Sequence, residues 1–180
     1  HFSYDPAGNL LRFTDPRGNS TNYSYDAQNR LVQTVDALAG STGISYDPNG
    51  NVVRVTDPLG RETAFSYDAG NNRTAVTNAE GNTARFAYDL LSELTSRTDF
   101  RGNAYAFDYD GISRMTRVED PLSRATRFDY DPAGNLLRKT DARGNETMFD
   151  YDRVNRVTEI HRPEDVLEQF EYDPVGNVLK

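Results

Sequence analysis

Hydrophobic and polar residues alternate in short runs that return every 21 residues along the chain. In the run Thr21–Tyr25, a threonine and two aromatic residues occupy every second position, with Asn22 and Ser24 between them. Successive side chains of a β-strand point to opposite faces of the sheet. This spacing therefore predicts a half-buried strand that carries its threonine, its aromatic residue and its Tyr on one face.

A second extended run follows each of these strands, as in Leu10–Thr14. Its apolar residues occur at positions of both faces, so the pattern leaves open which face of the second strand points inward. Turn residues such as those of Asp5–Asn9 separate the runs: Pro presets φ, while Gly and Asn accept positive φ. Each repeat is therefore predicted to contain two strands of about five residues, joined at both ends by hairpin loops.

The period is kept without insertion or deletion, which predicts a single array of nine repeats over residues 1–180. The array starts inside a repeat, and we therefore interpret it as a fragment of a larger protein. The dipeptide Tyr-Asp marks every repeat and supplies the candidate structural residues: Tyr4, Asp5, Tyr25, Asp26, Tyr46, Asp47, Tyr67, Asp68, Tyr88, Asp89, Tyr109, Asp110, Tyr130, Asp131, Tyr151, Asp152, Tyr172 and Asp173.

Nine such repeats predict an all-β fold of about eighteen strands, in which tandem β-hairpins form a long antiparallel strip. At about 4.8 Å per strand the strip would measure roughly 80–90 Å. Open sheets of this length twist and curl. The aromatic face needs cover, so the strip is expected to coil on itself, to enclose a cargo or to self-associate through its sheet edges.

Composition excludes several classes of function. The net charge is −8 and the mean hydropathy is −0.77, and an acidic chain of this kind is not expected to bind nucleic acid. No apolar run approaches the roughly 20 residues that span a bilayer. The chain has no cysteine, so that disulfides and thiolate metal sites are impossible.

The residues predict no catalytic site, no metal site and no cofactor. Nine equivalent catalytic dyads would be unusual, whereas a Tyr ring packed on its neighbours with a bonded hydroxyl, next to an Asp that accepts backbone N–H groups, explains the Tyr-Asp pairs as structure. The only histidines are His1 and His161, and His161 is expected at an exposed strand or turn position. Without a cluster of such residues, a Ser-His-Asp triad or a transition-metal site has no basis.

Three weaker interpretations concern the surface of the strip. The Asp, Asn and Gly loops offer oxygen ligands, but calcium needs about six to eight converging oxygens. The aromatic columns could stack on sugars, which leaves glycans as an alternative partner. Recurring arginines are expected to form cross-strand ladders with Asp and Glu: Arg12, Arg54, Arg117 and Arg138.

The Tyr-Asp columns, with turn pairs such as Gly8-Asn9 and Gly134-Asn135, resemble the YD/RHS repeat family over effectively the whole chain. This family includes bacterial Rhs and contact-dependent toxins, the shell-forming components of insecticidal toxin complexes, and animal teneurins. The resemblance implies a β-strip that spirals into a hollow cocoon, secreted or displayed on the bacterial surface. In the bacterial members the shell holds a C-terminal toxic domain.

The resemblance therefore implies a non-enzymatic encapsulation module, whose partners are the rest of the parent shell and an enclosed effector domain. The alternative is a cell-surface adhesion or carbohydrate-binding ribbon. The core segment that closes the family's shells does not appear in the chain. We interpret Asp57–Gly60, which is similar to an element near that core, as a turn rather than a cleavage site.

Overall fold

A computed structural model describes residues 1–179 and confirms the all-β prediction. Seventeen antiparallel strands follow one another as hairpins along the described residues. The described residues contain one short 3₁₀ turn, Pro163–Asp165, and no helix long and apolar enough to cross a membrane. The strands are β1 Phe2–Tyr4, β2 Leu10–Thr14, β3 Ser20–Tyr25, β4 Leu31–Val35, β5 Ser41–Tyr46, β6 Val52–Thr56, β7 Glu62–Tyr67, β8 Arg73–Thr77, β9 Thr83–Tyr88, β10 Leu94–Thr98, β11 Ala104–Tyr109, β12 Met115–Glu119, β13 Ala125–Tyr130, β14 Leu136–Thr140, β15 Glu146–Tyr151, β16 Val157–Arg162 and β17 Val166–Gln169.

The contacts divide the chain into two compact units. The first unit comprises His1–Ala87 and Thr98–Gly102, and the second comprises Tyr88–Arg97 and Asn103–Lys180. Within each unit, hydrogen-bonded partners are consecutive strands, as in β2 to β8 and β11 to β17. Each unit is thus a meander of hairpins built from local contacts.

A β-bulge marks the hairpins that contain most of the Tyr-Asp pairs. In β3 and β4, Tyr23 lies opposite Thr34, but the register then shifts and Tyr25 lies opposite Leu31. The extra residue on β4 reverses its alternation, so that Leu31 and Thr34 share a face although they are three positions apart. The same shift brings Tyr109 opposite Met115 in the second unit. The bulge explains the mixed pattern of the second run and settles which of its residues lie on the aromatic face.

The hairpins that join one repeat to the next keep a regular register. In β2 and β3, Phe13 lies opposite Thr21 and Thr14 lies opposite Ser20, without a shift. Directly opposed residues share a face of an antiparallel sheet. The residue nine positions after each Tyr, such as Phe13, therefore lies on the aromatic face.

Neither unit encloses a dry core. Among the described residues only Ala84 counts as buried, with 6% of its surface exposed. The aromatic columns are half-buried, as at Tyr23 and Phe128, and Phe2 is 56% exposed. The packing in each unit is a single layer of strands, so the aromatic face is only partly covered.

The last repeats depart from the predicted count of about eighteen strands. After β16 the loop Arg162–Val166 forms a 3₁₀ turn, in which Glu164 and Asp165 have φ values of 65° and 59°. Beyond β17 only a single bridge, between Tyr172 and Val178, continues the pairing. In this turn Arg162 stands where the other loops begin with Asp or Asn, and Asp165 stands at the fourth position, where most of them have Gly, which accounts for the different geometry.

Candidate functional site

The most repeated site is a five-residue hairpin loop, which occurs sixteen times within residues 1–179. In the loop that starts at Asp131, Gly134 N donates to Asp131 O over 3.1 Å and Asp131 N donates to Asn135 O over 2.9 Å. The Asp131 carboxylate accepts the Asn135 backbone N–H at Oδ1 and the Asn135 side-chain amide at Oδ2, both over 2.8 Å. One aspartate side chain therefore holds both ends of the loop together.

The fourth loop position needs a left-handed backbone. Nine of the sixteen loops have Gly there, with φ values such as 95° at Gly134, while others hold Ser113 at 68° and Ala39 at 65°. A residue with a Cβ is strained by about 1–2 kcal/mol in this conformation. This requirement explains why Gly, Asn and Ser dominate the fourth position. Because the first and fifth residues are joined by a backbone hydrogen bond, three residues lie between them, and the geometry is that of a three-residue hairpin loop with a G1 bulge.

The fifth loop position is Asn or Arg in most loops, and the two residues act alike. Arg114 donates its backbone N–H to Asp110 Oδ1 over 3.1 Å and its Nε to Asp110 Oδ2 over 2.6 Å. The backbone hydrogen bond from Arg114 is the main cause that lowers the pKa of Asp110, and the side-chain hydrogen bond from Asn135 is the main cause that lowers the pKa of Asp131. Both residues thus stabilise the charged form of the carboxylate.

The loops form two rows, which follow opposite ends of the strands. We call YD row the loops whose first residue belongs to a Tyr-Asp pair, and second row the loops that start ten residues later. The YD row starts at Asp5, Asp26, Asp47, Asp68, Asp89, Asp110, Asp131, Asp152 and Asp173, and the second row at Asp15, Asp36, Asp57, Asn78, Asp99, Asp120 and Asp141.

The Tyr of most Tyr-Asp pairs connects neighbouring repeats. The hydroxyl of Tyr130 donates to the backbone carbonyl of Met115 over 2.9 Å. Met115 begins the strand that follows the preceding YD-row loop, so the bond spans from one repeat to the one before it. The same bond, fifteen residues back in the chain, is made by Tyr25, Tyr46, Tyr67, Tyr109, Tyr130, Tyr151 and Tyr172.

Arginines in the YD row add a second connection between repeats. The Arg114 guanidinium lies 4.7 Å from the Tyr130 ring centre and donates Nη1 to the Asp131 carbonyl over 2.7 Å. Likewise, the Arg30 guanidinium lies 4.5 Å from the Tyr46 ring centre, and Arg30 Nη1 donates to the Asp47 carbonyl over 3.3 Å. Each arginine therefore closes its own loop and also clamps the Tyr-Asp pair of the next repeat.

Asparagines provide the connection in other YD-row loops. Asn9 Nδ2 donates to Asn29 Oδ1 over 2.8 Å, and Asn135 Nδ2 donates to Asn155 Oδ1 over 2.9 Å. The acceptor is in each case the residue at the fourth position of the next loop. Within each unit, side-chain hydrogen bonds thus run from one YD-row loop to the next.

Sequence reasoning placed the Tyr-Asp pairs at the start of loops but missed the arginines at the fifth position. Arg30, Arg114 and Arg156 alternate with Asn in that column, which is the signal that could have identified them. The predicted arginine ladder is confirmed at three positions, where Arg54 pairs with Glu62, Arg117 with Asp108, and Arg138 with Asp129 and Glu146. Arg12 instead donates to the Ser20 hydroxyl over 2.7 Å.

One cluster outside the loop rows brings possible metal ligands together. His161 lies on β16, and its Nε2 is 3.0 Å from Asp150 Oδ2 and 3.1 Å from Glu159 Oε2. It is the one group of three or more His, Asp or Glu ligand atoms at this spacing in residues 1–179. Sequence reasoning had assigned His161 to an exposed position, and its side chain is 38% exposed.

The sequence profile of the RHS Repeat family matches residues 4–41, 46–83, 109–146 and 130–166, which together exceed half of the chain. None of the curated proteins matches. Among solved structures, "Crystal Structure of TcdB2-TccC3-Cdc42" aligns with a TM-score of 0.55 and 15% identity over 98% of this chain and 13% of that chain. "Crystal Structure of TcdB2-TccC3 without hypervariable C-terminal region" aligns with a TM-score of 0.52 and 17% identity over 98% of this chain and 12% of that chain. The chain thus spans about an eighth of the length of these structures and shares their fold, and its repeats place it in the RHS Repeat family.

Proposed function

We propose that this chain is a scaffold segment of an RHS-repeat β-shell, and that in its parent protein the shell encloses an effector domain. The observation that carries the proposal is the single layer of strands, in which only Ala84 of the described residues is buried. Stable domains bury a sheet's apolar face against a second layer. The half-buried aromatic columns therefore need further protein to cover them.

The comparisons support a segment of a longer shell. Residues 4–41 and three further stretches match the RHS Repeat family, and the aligned TcdB2-TccC3 structure is about eight times longer than this chain, since the alignment covers 13% of it. We propose that the partners are the remainder of the parent shell and its enclosed effector, and that the parent is secreted or displayed on the bacterial surface. The nine repeats act in this proposal as one array over residues 1–180.

The contacts of the Tyr-Asp pairs support a structural role without catalysis. The Tyr130 hydroxyl is engaged by the Met115 carbonyl, and both oxygens of the adjacent Asp131 are engaged by Asn135. A general base or nucleophile needs a free atom within reach of a substrate. These pairs instead fix the position of each repeat on the one before it, which is what a rigid wall requires.

The test is a protease-protection experiment on the parent protein. The full-length parent and its downstream domain alone are each treated with the same protease, and the rate of cleavage within that domain is measured. We expect cleavage in the parent to be at least tenfold slower, because a shell hides its cargo. Equal rates of cleavage, or a parent that carries a wall anchor and binds sugars on a glycan array, would support the adhesion ribbon and overturn the shell.

A further inference from the structure

The eighth repeat reverses a charge that the two preceding repeats use to pair their strands. In the sixth and seventh repeats, Arg117 and Arg138 pair with Asp108 and Asp129 across the hairpin. In the eighth repeat the corresponding arginine position holds Glu159, which lies opposite Asp150. Like charges directly opposite each other destabilise a strand pair. The eighth hairpin has therefore replaced an ion pair by two facing carboxylates.

A histidine stands between the two carboxylates. His161 lies two residues after Glu159 on β16, so both side chains are on the same face of the sheet as Asp150. The three ligand atoms lie within 4.8 Å of one another, and His161 Nε2 is 3.0 and 3.1 Å from the two carboxylate oxygens. Zn²⁺ with bonds of about 2.0–2.2 Å in a tetrahedron holds neighbouring ligands about 3.3–3.6 Å apart. His161 Nε2 would have to move away from each carboxylate oxygen by only a few tenths of an ångström.

A neighbouring strand orients one of the ligands. Gln169 on β17 lies opposite Glu159 and donates Nε2 to Glu159 Oε1 over 2.9 Å. This bond occupies one carboxylate oxygen and leaves Oε2 directed at His161. Hydrogen bonds of this kind to a ligating carboxylate are typical of metal sites, where they fix the ligand's orientation.

We propose that Asp150, Glu159 and His161 bind one Zn²⁺ ion, with water in the remaining coordination position. One imidazole and two carboxylates suit zinc among the divalent metals, because imidazole binds it well and calcium and magnesium prefer oxygen ligands alone. The ion would neutralise the facing carboxylates and link β15 to β16, close to the irregular turn at 163–165. The site is independent of the proposed shell function.

The test is a titration of the purified chain with Zn²⁺ alone, in which calorimetry measures binding and the shift of the unfolding temperature. We expect one saturable site per chain and, at a concentration about 100-fold above the dissociation constant, an upward shift of the unfolding temperature that a chelator reverses. The variant Glu159→Arg restores the residue type of the sixth and seventh repeats and should abolish the site. His161→Gln should weaken binding by at least tenfold, whereas His1→Ala, which changes the other histidine, should leave it unchanged.

Coordination is checked with Co²⁺ in place of Zn²⁺, since tetrahedral Co²⁺ gives intense visible absorption that octahedral Co²⁺ lacks. The circular dichroism and unfolding temperature of each metal-free variant show whether it is folded, so a loss of binding is not confused with a loss of structure. Saturable binding that persists in folded Glu159→Arg, or the absence of a one-to-one site in the unmodified chain, would overturn the proposal.

Discussion

The two rows of loops contain the same five-residue motif but lie in different surroundings. Arg114 in the YD row and Arg124 in the second row each bind the aspartate four residues earlier over 2.6 Å. The Arg114 side chain is only 25% exposed, whereas that of Arg124 is 61% exposed. Arg61 of the second row is likewise 62% exposed, against 30% for Arg30 of the YD row. The local motif therefore shapes both rows, and contacts with the neighbouring repeat distinguish their arginines.

The Tyr of the next repeat causes this difference. Tyr130 lies at the bulge of its hairpin, with its ring under the Arg114 guanidinium and its hydroxyl on the Met115 carbonyl. An arginine in this position gains a cation–π contact and a second hydrogen bond, and it loses contact with water. One loop motif can therefore close a hairpin in one row and also join successive repeats in the other.

Acid should reduce the stability of the chain most, because it protonates the loop aspartates of both rows. Hydrogen bonds from residues such as Asn19 and Asn135 lower the pKa values of Asp15 in the second row and Asp131 in the YD row. These folded-state pKa values lie below the unfolded pKa of about 3.9, so the carboxylates stabilise the fold at pH values above about 3.9. This stabilisation is lost as the pH falls through the folded-state pKa values. We expect the unfolding temperature, followed by circular dichroism, to decrease steeply below about pH 4.

Asp131→Asn and Asp141→Asn are matched controls for this pH dependence, one from each row. Asn is compatible with the first loop position, since Asn78 accepts the Asn82 backbone N–H over 2.9 Å. Each variant should reduce the slope of stability against pH by a similar amount. An unchanged unfolding temperature of the unmodified chain between pH 7 and pH 3 would contradict the assigned role of the loop carboxylates.

The next largest effect distinguishes the rows directly. Arg114→Ala removes the contact with the Tyr130 ring and the bond to the Asp131 carbonyl, and we expect it to lower the free energy of unfolding by about 2 kcal/mol. Arg124→Ala removes the same bond to its own aspartate at an exposed site, where ion pairs contribute little, and should have a clearly smaller effect. Urea denaturation measures both. Equal decreases in the free energy of unfolding for the two variants would show that the rows do not differ energetically.

A backbone change should affect the two rows equally. Gly134 in the YD row and Gly144 in the second row have φ values of 95° and 85°, so that alanine at either position should reduce stability by about 1–2 kcal/mol. Gly111 lies in a YD-row loop outside the positive-φ set, and a Cβ added there would meet nothing within 4 Å, so Gly111→Ala should be neutral or stabilising. Denaturation curves of the three variants check this. A loss at Gly111 similar to that at Gly134 would contradict the role assigned to positive φ.

The smallest effect concerns the tyrosine hydroxyl. Tyr130→Phe keeps the ring under Arg114 but removes the bond to the Met115 carbonyl, and we expect a loss of about 1 kcal/mol. Tyr4→Phe is the control, because Tyr4 is 59% exposed. Thermal unfolding of both variants tests whether the hydroxyl connects repeats. A similar response of Tyr4 and Tyr130 would count against that connection.

Much of the local structure was predictable because it depends on neighbours in sequence. The alternation in Thr21–Tyr25 and the Asp, Gly and Asn residues of loops such as Asp5–Asn9 correctly indicated strands and hairpins. The clustering of His161 with Asp150 and Glu159 was not predicted, because it depends on the register between β15 and β16. A sequence pattern does not show which residues of two strands lie opposite each other.

The period, the strands, the loops and the family can be read from the sequence, since each follows from steric and hydrogen-bonding preferences repeated every 21 residues. The position of the bulge, the face of residues such as Phe13 and Thr34, and the different surroundings of Arg114 and Arg124 were set by the folded chain. These features depend on pairing across strands and between repeats. A side chain acquires such partners only when the chain has folded, so identical five-residue motifs come to have unequal roles.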